Sequence, residues 1–176
     1  MKIKNETICY IDGANLYKGI TSLGWELNYQ VFRRWLDQKY AATKVYLFIG
    51  MISAHADLYT TLQRCGFTLI FKEVIFYEDG KAKGNCDADL IVRAARDLYE
   101  SGVRSVILVS SDGDYVPLIK LWREKNTRCI VLSPSKIKNC SILIKRTGVP
   151  IVCLDEIKKK LGYSKNKKAP DTGVPA

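Results

Sequence analysis

VILVSSDGDYVPLI, residues 106–119, is the stretch from which the fold can be read. Its first five residues, Val106 to Ser110, are a short β-rich apolar run of the kind that forms a strand. The run breaks into Ser110-Ser111-Asp112-Gly113-Asp114, and a helical pattern follows with Pro117 in its first turn. A strand that ends in a polar turn and feeds a helix is the repeating unit of α/β proteins. This turn also carries two neighbouring carboxylates, Asp112 and Asp114. Their repulsion costs free energy unless a cation or a proton compensates it.

The same alternation continues on both sides. Strand patterns fall at residues 7–11, 44–49, 68–71, 106–110, 129–132 and 151–154. Helical patterns fall at 29–39, 56–64, 87–101, 116–125, 140–146 and 156–161, and Gly66, Gly102 and Gly148 read as helix stops. This order predicts an α/β fold with a mainly parallel sheet. One segment departs from it: in VIFYEDGKAKGN, residues 74–85, Asp79-Gly80 predicts a hairpin turn that carries Lys81 and Lys83 toward the next helix. No internal repeat is present. The chain divides into a domain over residues 1–162 and a basic tail over 163–176, whose small, proline- and glycine-rich end predicts disorder.

The 176 residues include 28 Lys or Arg against 18 Asp or Glu, a net charge of +10. Such an excess favours an anionic partner, most often nucleic acid. The N-terminal MKIKNETICYIDG has no apolar core of a signal peptide, and no run approaches a membrane span. Six cysteines are scattered without a C-x-x-C pair, and the single histidine, His55, has no partner at ligand spacing. Cys9, Cys129 and Cys153 sit inside apolar runs as small core residues. These features predict a reduced, zinc-free, cytoplasmic protein without a membrane segment.

Other acids point toward Asp112 and Asp114. Asp12 ends the strand pattern ICYID and precedes Gly13-Ala14-Asn15, so it falls at the carboxyl end of a strand, where open α/β sheets form their crevices. With Asn85 as N-cap, Asp87 opens the helix at 87–101 and shares the inward face with Ile91, Ala94 and Leu98. Asp89, Arg93, Arg96 and Glu100 fall on the polar face, with Asp89 and Arg93 spaced for an ion pair. Each acid has an ordinary role open to it. Asp12 and Asp112 suit turns, Asp114 suits an N-cap, and Asp87 suits the helix dipole. Four such acids need not meet at one sheet edge, however, and a cluster of carboxylates is what holds hard cations such as Mg²⁺ and Mn²⁺.

Competing motifs fail on detail. DGDYVPLIKLWR has Val116 and Arg123 where a calcium loop needs oxygen ligands. Neither nucleotide-binding glycine motif is present, and Ser110 and Ser111 have no histidine in context.

YIDGANLY (residues 10–17), KGNCDADLIVRA (83–94) and ILVSSDGDYVPLIKLW (107–122) together resemble the three motif blocks of NYN domains, the LabA-like branch of the PIN-like nuclease superfamily. The resemblance spans residues 3–161 and implies a three-layer α/β/α, Rossmann-like fold. It implies a Mg²⁺- or Mn²⁺-dependent ribonuclease. Asp12, Asp87, Asp112 and Asp114 match the family's metal-binding and catalytic acids, Asn15 the asparagine beside the first, and Asp89 a secondary acid. Two positions depart from the pattern: Ser111 stands where glycine is frequent, and Arg93 where many relatives carry an acid. In this reading Asn15 orients a water or phosphate oxygen, and Lys81, Lys83 and Arg93 contact RNA phosphates. Lys165, Lys167 and Lys168 extend that contact into the tail. A PIN-like module that binds RNA or protein without cutting is the alternative. A haloacid-dehalogenase-type phosphatase would need an acid where Ala14 stands. A homo-oligomer is compatible with the sequence.

Overall fold

The structure is a computed structural model that describes residues 6–73, 75–76, 82–83 and 87–163. Among these residues a six-stranded parallel sheet forms the middle layer. Its strands are β1 (Thr7–Asp12), β2 (Ala42–Met51), β3 (Thr68–Glu73), β6 (Ser105–Val109), β7 (Arg128–Ser133) and β8 (Ile151–Cys153). They lie in the order β3-β2-β1-β6-β7-β8. A separate two-stranded antiparallel ladder pairs β4 (Ile75–Phe76) with β5 (Ala82–Lys83), in accord with the hairpin expected there. Its turn, with Lys81, lies outside the described residues, as do Asn85 and the tail from residue 164 on.

All six residues of β1 are buried, because both faces of this central strand are covered. Side chains alternate between faces along a strand, and here that alternation divides the core in two. Cys9 and Ile11 point to one side, where they meet α1 (Gly13–Ser22), α2 (Tyr29–Tyr40), α3 (Ala56–Arg64) and α7 (Lys158–Leu161) through Leu16, Phe32, Leu36, Leu62 and Leu161. Ile8 and Tyr10 point to the other, against α4 (Asp87–Ser101), α5 (Val116–Glu124) and α6 (Ile142–Arg146) through Leu90, Ala94, Ile119, Trp122 and Ile144. The result is the expected three-layer α/β/α architecture. Gly66, Gly102 and Gly148 have positive φ after α3, α4 and α6, as expected of helix stops. Burial raises the thiol of Cys129 to about 12, which keeps it a neutral core group.

The sequence pattern missed α1. GANLYKGITS opens on glycine, contains a second glycine and ends on Thr21-Ser22, so it has little intrinsic helical preference. Packing overrides propensity here. A Cβ on Gly13 would lie 2.6 Å from the backbone oxygen of Phe48, and one on Gly19 would lie 2.8 Å from Pro134. Both glycines therefore let α1 sit directly on the sheet edge. The helix expected at 140–146 is shorter, beginning at Ile142 after a 3₁₀ turn at Ile137–Asn139. Likewise α7 is preceded by a 3₁₀ turn at Leu154–Ile157. No helix of the described residues is long and apolar enough to cross a membrane.

The topology also places a crevice. From β1 the chain proceeds to β2 and β3 on one side, then crosses to β6 on the other and continues to β7 and β8. The direction of winding reverses between β1 and β6. The connections leaving their carboxyl ends diverge there and leave a cleft.

Candidate functional site

β1 and β6 are adjacent parallel strands with Ile11 paired to Val109, so they end side by side. Each passes its chain to a helical turn through a capping aspartate. Asp12 caps α1, its Oδ1 accepting the Asn15 N–H at 2.9 Å. Asp112 caps the 3₁₀ turn Gly113–Tyr115 and accepts the Asp114 N–H at 3.1 Å. Asp114, expected to cap the helix that carries Pro117, lies inside this turn instead; that helix has no side-chain cap, and Asp112 caps the turn before it. Capping engages one oxygen of each carboxylate and leaves further lone pairs and the full charge for a second partner.

Asp87 is the first residue of α4, and that helix brings it to the same edge. Asp87, Asp112 and Asp114 each offer one carboxylate oxygen, and the three atoms lie within 4.8 Å of one another. Asp87 and Asp112 are half-buried and Asp114 is exposed. Bonds from hard divalent ions to oxygen run roughly 2.0–2.6 Å, so these three groups are spaced to share an ion. The donor set is all carboxylate, which suits a hard divalent cation and not a soft metal. Among the described residues no lysine or arginine forms an ion pair with Asp12, Asp112 or Asp114.

Asp12 lies deeper, with 6% of its surface exposed, and stands outside that trio. It is joined to it through Tyr115, which is fully buried. The Tyr115 hydroxyl lies 3.1 Å from Asp12 Oδ2 and 2.6 Å from Asp87 Oδ1. A phenol carries one proton and can donate to only one carboxylate at a time. Burial raises the carboxyl pKa of Asp12, the Asn15 N–H opposes the rise, and the charges of Asp87 and Asp112 add to it. Burial and the two carboxylates also hold the phenol of Tyr115 far above its ordinary value. Tyr115 is therefore a fixed donor.

Asn15 does not project its carbonyl into the cleft. Its Oδ1 accepts from the backbone N–H of Ser111 at 2.9 Å and from the Ser111 hydroxyl at 3.1 Å. The Ser111 hydroxyl in turn lies 3.2 Å from that of Ser135, and Ser110 Oγ accepts the Asp112 N–H at 3.1 Å. Serine at position 111 thus adds a side-chain link between α1, the Asp112 turn and the loop after β7. Gly113 sits in close approach to α6: a Cβ there would lie 2.6 Å from Ser141 Oγ, which would have to turn away.

Asp89 and Arg93 stand apart from the trio. Asp89 forms an exposed ion pair with Lys72 at 3.4 Å, not with Arg93. Arg93 pairs with Asp97, its Nε 3.1 Å from each carboxylate oxygen. Its guanidinium also lies 4.4 Å over the Tyr46 ring and donates to the Tyr46 hydroxyl. Asp97 is buried and accepts from Tyr10 at 3.0 Å. The surface role expected of Arg93 gives way to an anchor that ties α4 to β1 and β2, because the inward face of α4 includes the acid four residues on. Lys81, Lys165, Lys167 and Lys168 lie outside the described residues, as does the side chain of Lys83. Sequence reasoning overlooked Asp97 and the hydrogen bonds of Tyr115 and Ser111. The Arg93-Asp97 spacing was a usable signal, whereas nothing local marks the Tyr115 hydroxyl.

A reversal of winding with capping acids on both sides of it defines a Rossmann-like α/β protein with an acidic crevice at its switch point. The NYN domain model matches residues 6–151, and the chain belongs to that family. The fold is also that of a protein of unknown function from Vibrio parahaemolyticus RIMD 2210633, seen in a crystal structure. The two share 20% identity and a TM-score of 0.75, over 93% of this chain and 99% of that one. No curated protein matches the chain.

Proposed function

We propose that this protein is a divalent-metal-dependent ribonuclease of the LabA-like branch of NYN domains, within the PIN-like nuclease superfamily. The observation that carries the reading is the trio of Asp87, Asp112 and Asp114 oxygens, within 4.8 Å of one another at the switch point. These residues would hold Mg²⁺ or Mn²⁺. When bound, the ion supplies Lewis-acid activation of water and neutralises charge on a phosphodiester. The protein's own groups set the geometry. Tyr115 holds Asp87 against the buried Asp12, and Asn15 fixes Ser111 and with it the turn that presents Asp112 and Asp114. Lys81, Lys83, Lys165, Lys167 and Lys168 are assigned to RNA phosphates on the strength of their charge and sequence position.

The test is cleavage of single-stranded and structured RNA with Mn²⁺, Mg²⁺ or EDTA. Cleavage is expected with either ion, none in EDTA, and none from Asp112→Asn at saturating metal. Cleavage that persists in EDTA or in Asp112→Asn would overturn the reading. RNA binding with no cleavage under any condition would identify a non-catalytic module.

A further inference from the structure

We propose that residues 135–143 form a platform for the substrate strand, with Lys136 and Lys138 on its phosphates and Ile137, Ile142 and Leu143 against its bases. The proposal deepens the ribonuclease reading and rests on it for the location of the cut.

The platform is placed by contacts at both of its ends. Near its start, the Ser135 hydroxyl lies 3.2 Å from that of Ser111. Near its end, the Ser141 N–H donates to the Ser111 carbonyl at 3.1 Å. Ser111 immediately precedes Asp112. Beyond that turn, a Cβ on Gly113 would fall 2.6 Å from Ser141 Oγ and 3.3 Å from Leu143 Cδ1. Leu143 therefore lies beside the glycine that separates Asp112 from Asp114. The segment adjoins the carboxylates without contributing to them.

Its surface is unusual for a loop and a one-turn helix. Ile137, Ile142 and Leu143 are 50%, 56% and 50% exposed, three large aliphatic side chains within seven residues. Lys136 and Lys138 are exposed on either side of Ile137. The sequence has no acid between Glu124 and Asp155, while that interval holds six basic residues. Cationic side chains interleaved with apolar ones match a single strand, whose charged backbone and unpaired bases need both kinds of contact. A protein partner would satisfy the apolar side chains but would leave unexplained why the basic ones flank an acidic cleft.

The test measures equilibrium binding of the full chain to a fluorescein-labelled 12-nucleotide single-stranded RNA in EDTA over a salt series. Cleavage is absent from that readout. Lys136→Ala with Lys138→Ala should reduce the slope of log affinity against log salt by about 1.4, from two phosphates on a single strand. Ile137→Ser with Leu143→Ser should weaken binding about tenfold with the slope unchanged, since apolar contacts release no counterions. Both variants should melt as the wild type does, because the altered side chains are exposed. Slopes and affinities that superimpose on those of the wild type would overturn the platform, even if the protein cleaves RNA. So would an apolar variant that changes the oligomeric state and leaves RNA binding intact. Conversely, the expected slopes in a protein that never cleaves would sustain the platform while the nuclease reading fails.

Discussion

The carboxylate of Asp12 is buried beside two others, yet its neighbours suit either an acid or an amide. An asparagine could still cap the Asn15 N–H and could donate its amide to Tyr115, freeing the phenol proton for Asp87. Asp12 titrates above its unfolded value, so its favourable contribution is complete below the unfolded pKa of about 4 and is lost as pH rises through the folded one. Asp12→Asn is thus expected to melt higher than the wild type in EDTA at pH 7, by a margin that shrinks toward pH 4. A lower melting temperature at pH 7 would show that Asp12 is stabilised as an anion. Tyr115→Phe tests the other partner. Loss of a buried hydroxyl shared by two carboxylates should cost about 1–3 kcal/mol in urea unfolding. Mn²⁺ affinity, followed by the electron paramagnetic resonance of the free ion, should fall with it because Asp87 loses its tether. Unchanged unfolding and unchanged Mn²⁺ affinity would leave the hydroxyl without a positioning role.

At the level of elements, the crevice is made by short connections held very close. The turn Gly113–Tyr115 packs closely on the start of α6, where a Cβ on Gly113 would press on Ser141 Oγ at 2.6 Å and Leu143 Cδ1 at 3.3 Å. Gly113→Ala should cost about 1–3 kcal/mol through overpacking. It should also displace Asp112 or Asp114 and so reduce metal-dependent cleavage more than stability alone would. Ser141→Ala in the same chain removes the clashing oxygen and should restore part of both. A Gly113→Ala variant with wild-type stability and cleavage would show that α6 yields freely. α4 is held in the opposite manner, by a buried polar group. Asp97 receives Tyr10 and Arg93, which fixes the helix whose first residue is Asp87.

For the molecule as a whole, the anchoring of three acids on two separate segments, the start of α4 and the turn after β6, makes folding and metal binding interdependent. An ion that binds the native crevice and not the unfolded chain adds about 2.7 kcal/mol at a hundredfold excess over its dissociation constant. For a chain of this size that corresponds to a melting shift of roughly 5–10 °C. Mn²⁺ should produce such a shift in the wild type, EDTA should reverse it, and Asp112→Asn should abolish it. An unshifted wild type would count against a metal centre.

The alternation of strand and helix was legible because it is local. β-branched runs such as VILV and the helical spacing of residues 87–101 report burial one element at a time, and Gly66, Gly102 and Gly148 mark positions that need positive φ. The acids were legible as strand-end and helix-start residues for the same reason. Helix α1 was not, since its glycines are explained by Phe48 and Pro134, partners distant in the chain. Nor could spacing reveal that Tyr115 joins Asp12 to Asp87 across 103 and 28 residues. The winding order, with β6 beside β1, brings these groups together, and their hydrogen bonds exist only once that packing has excluded water.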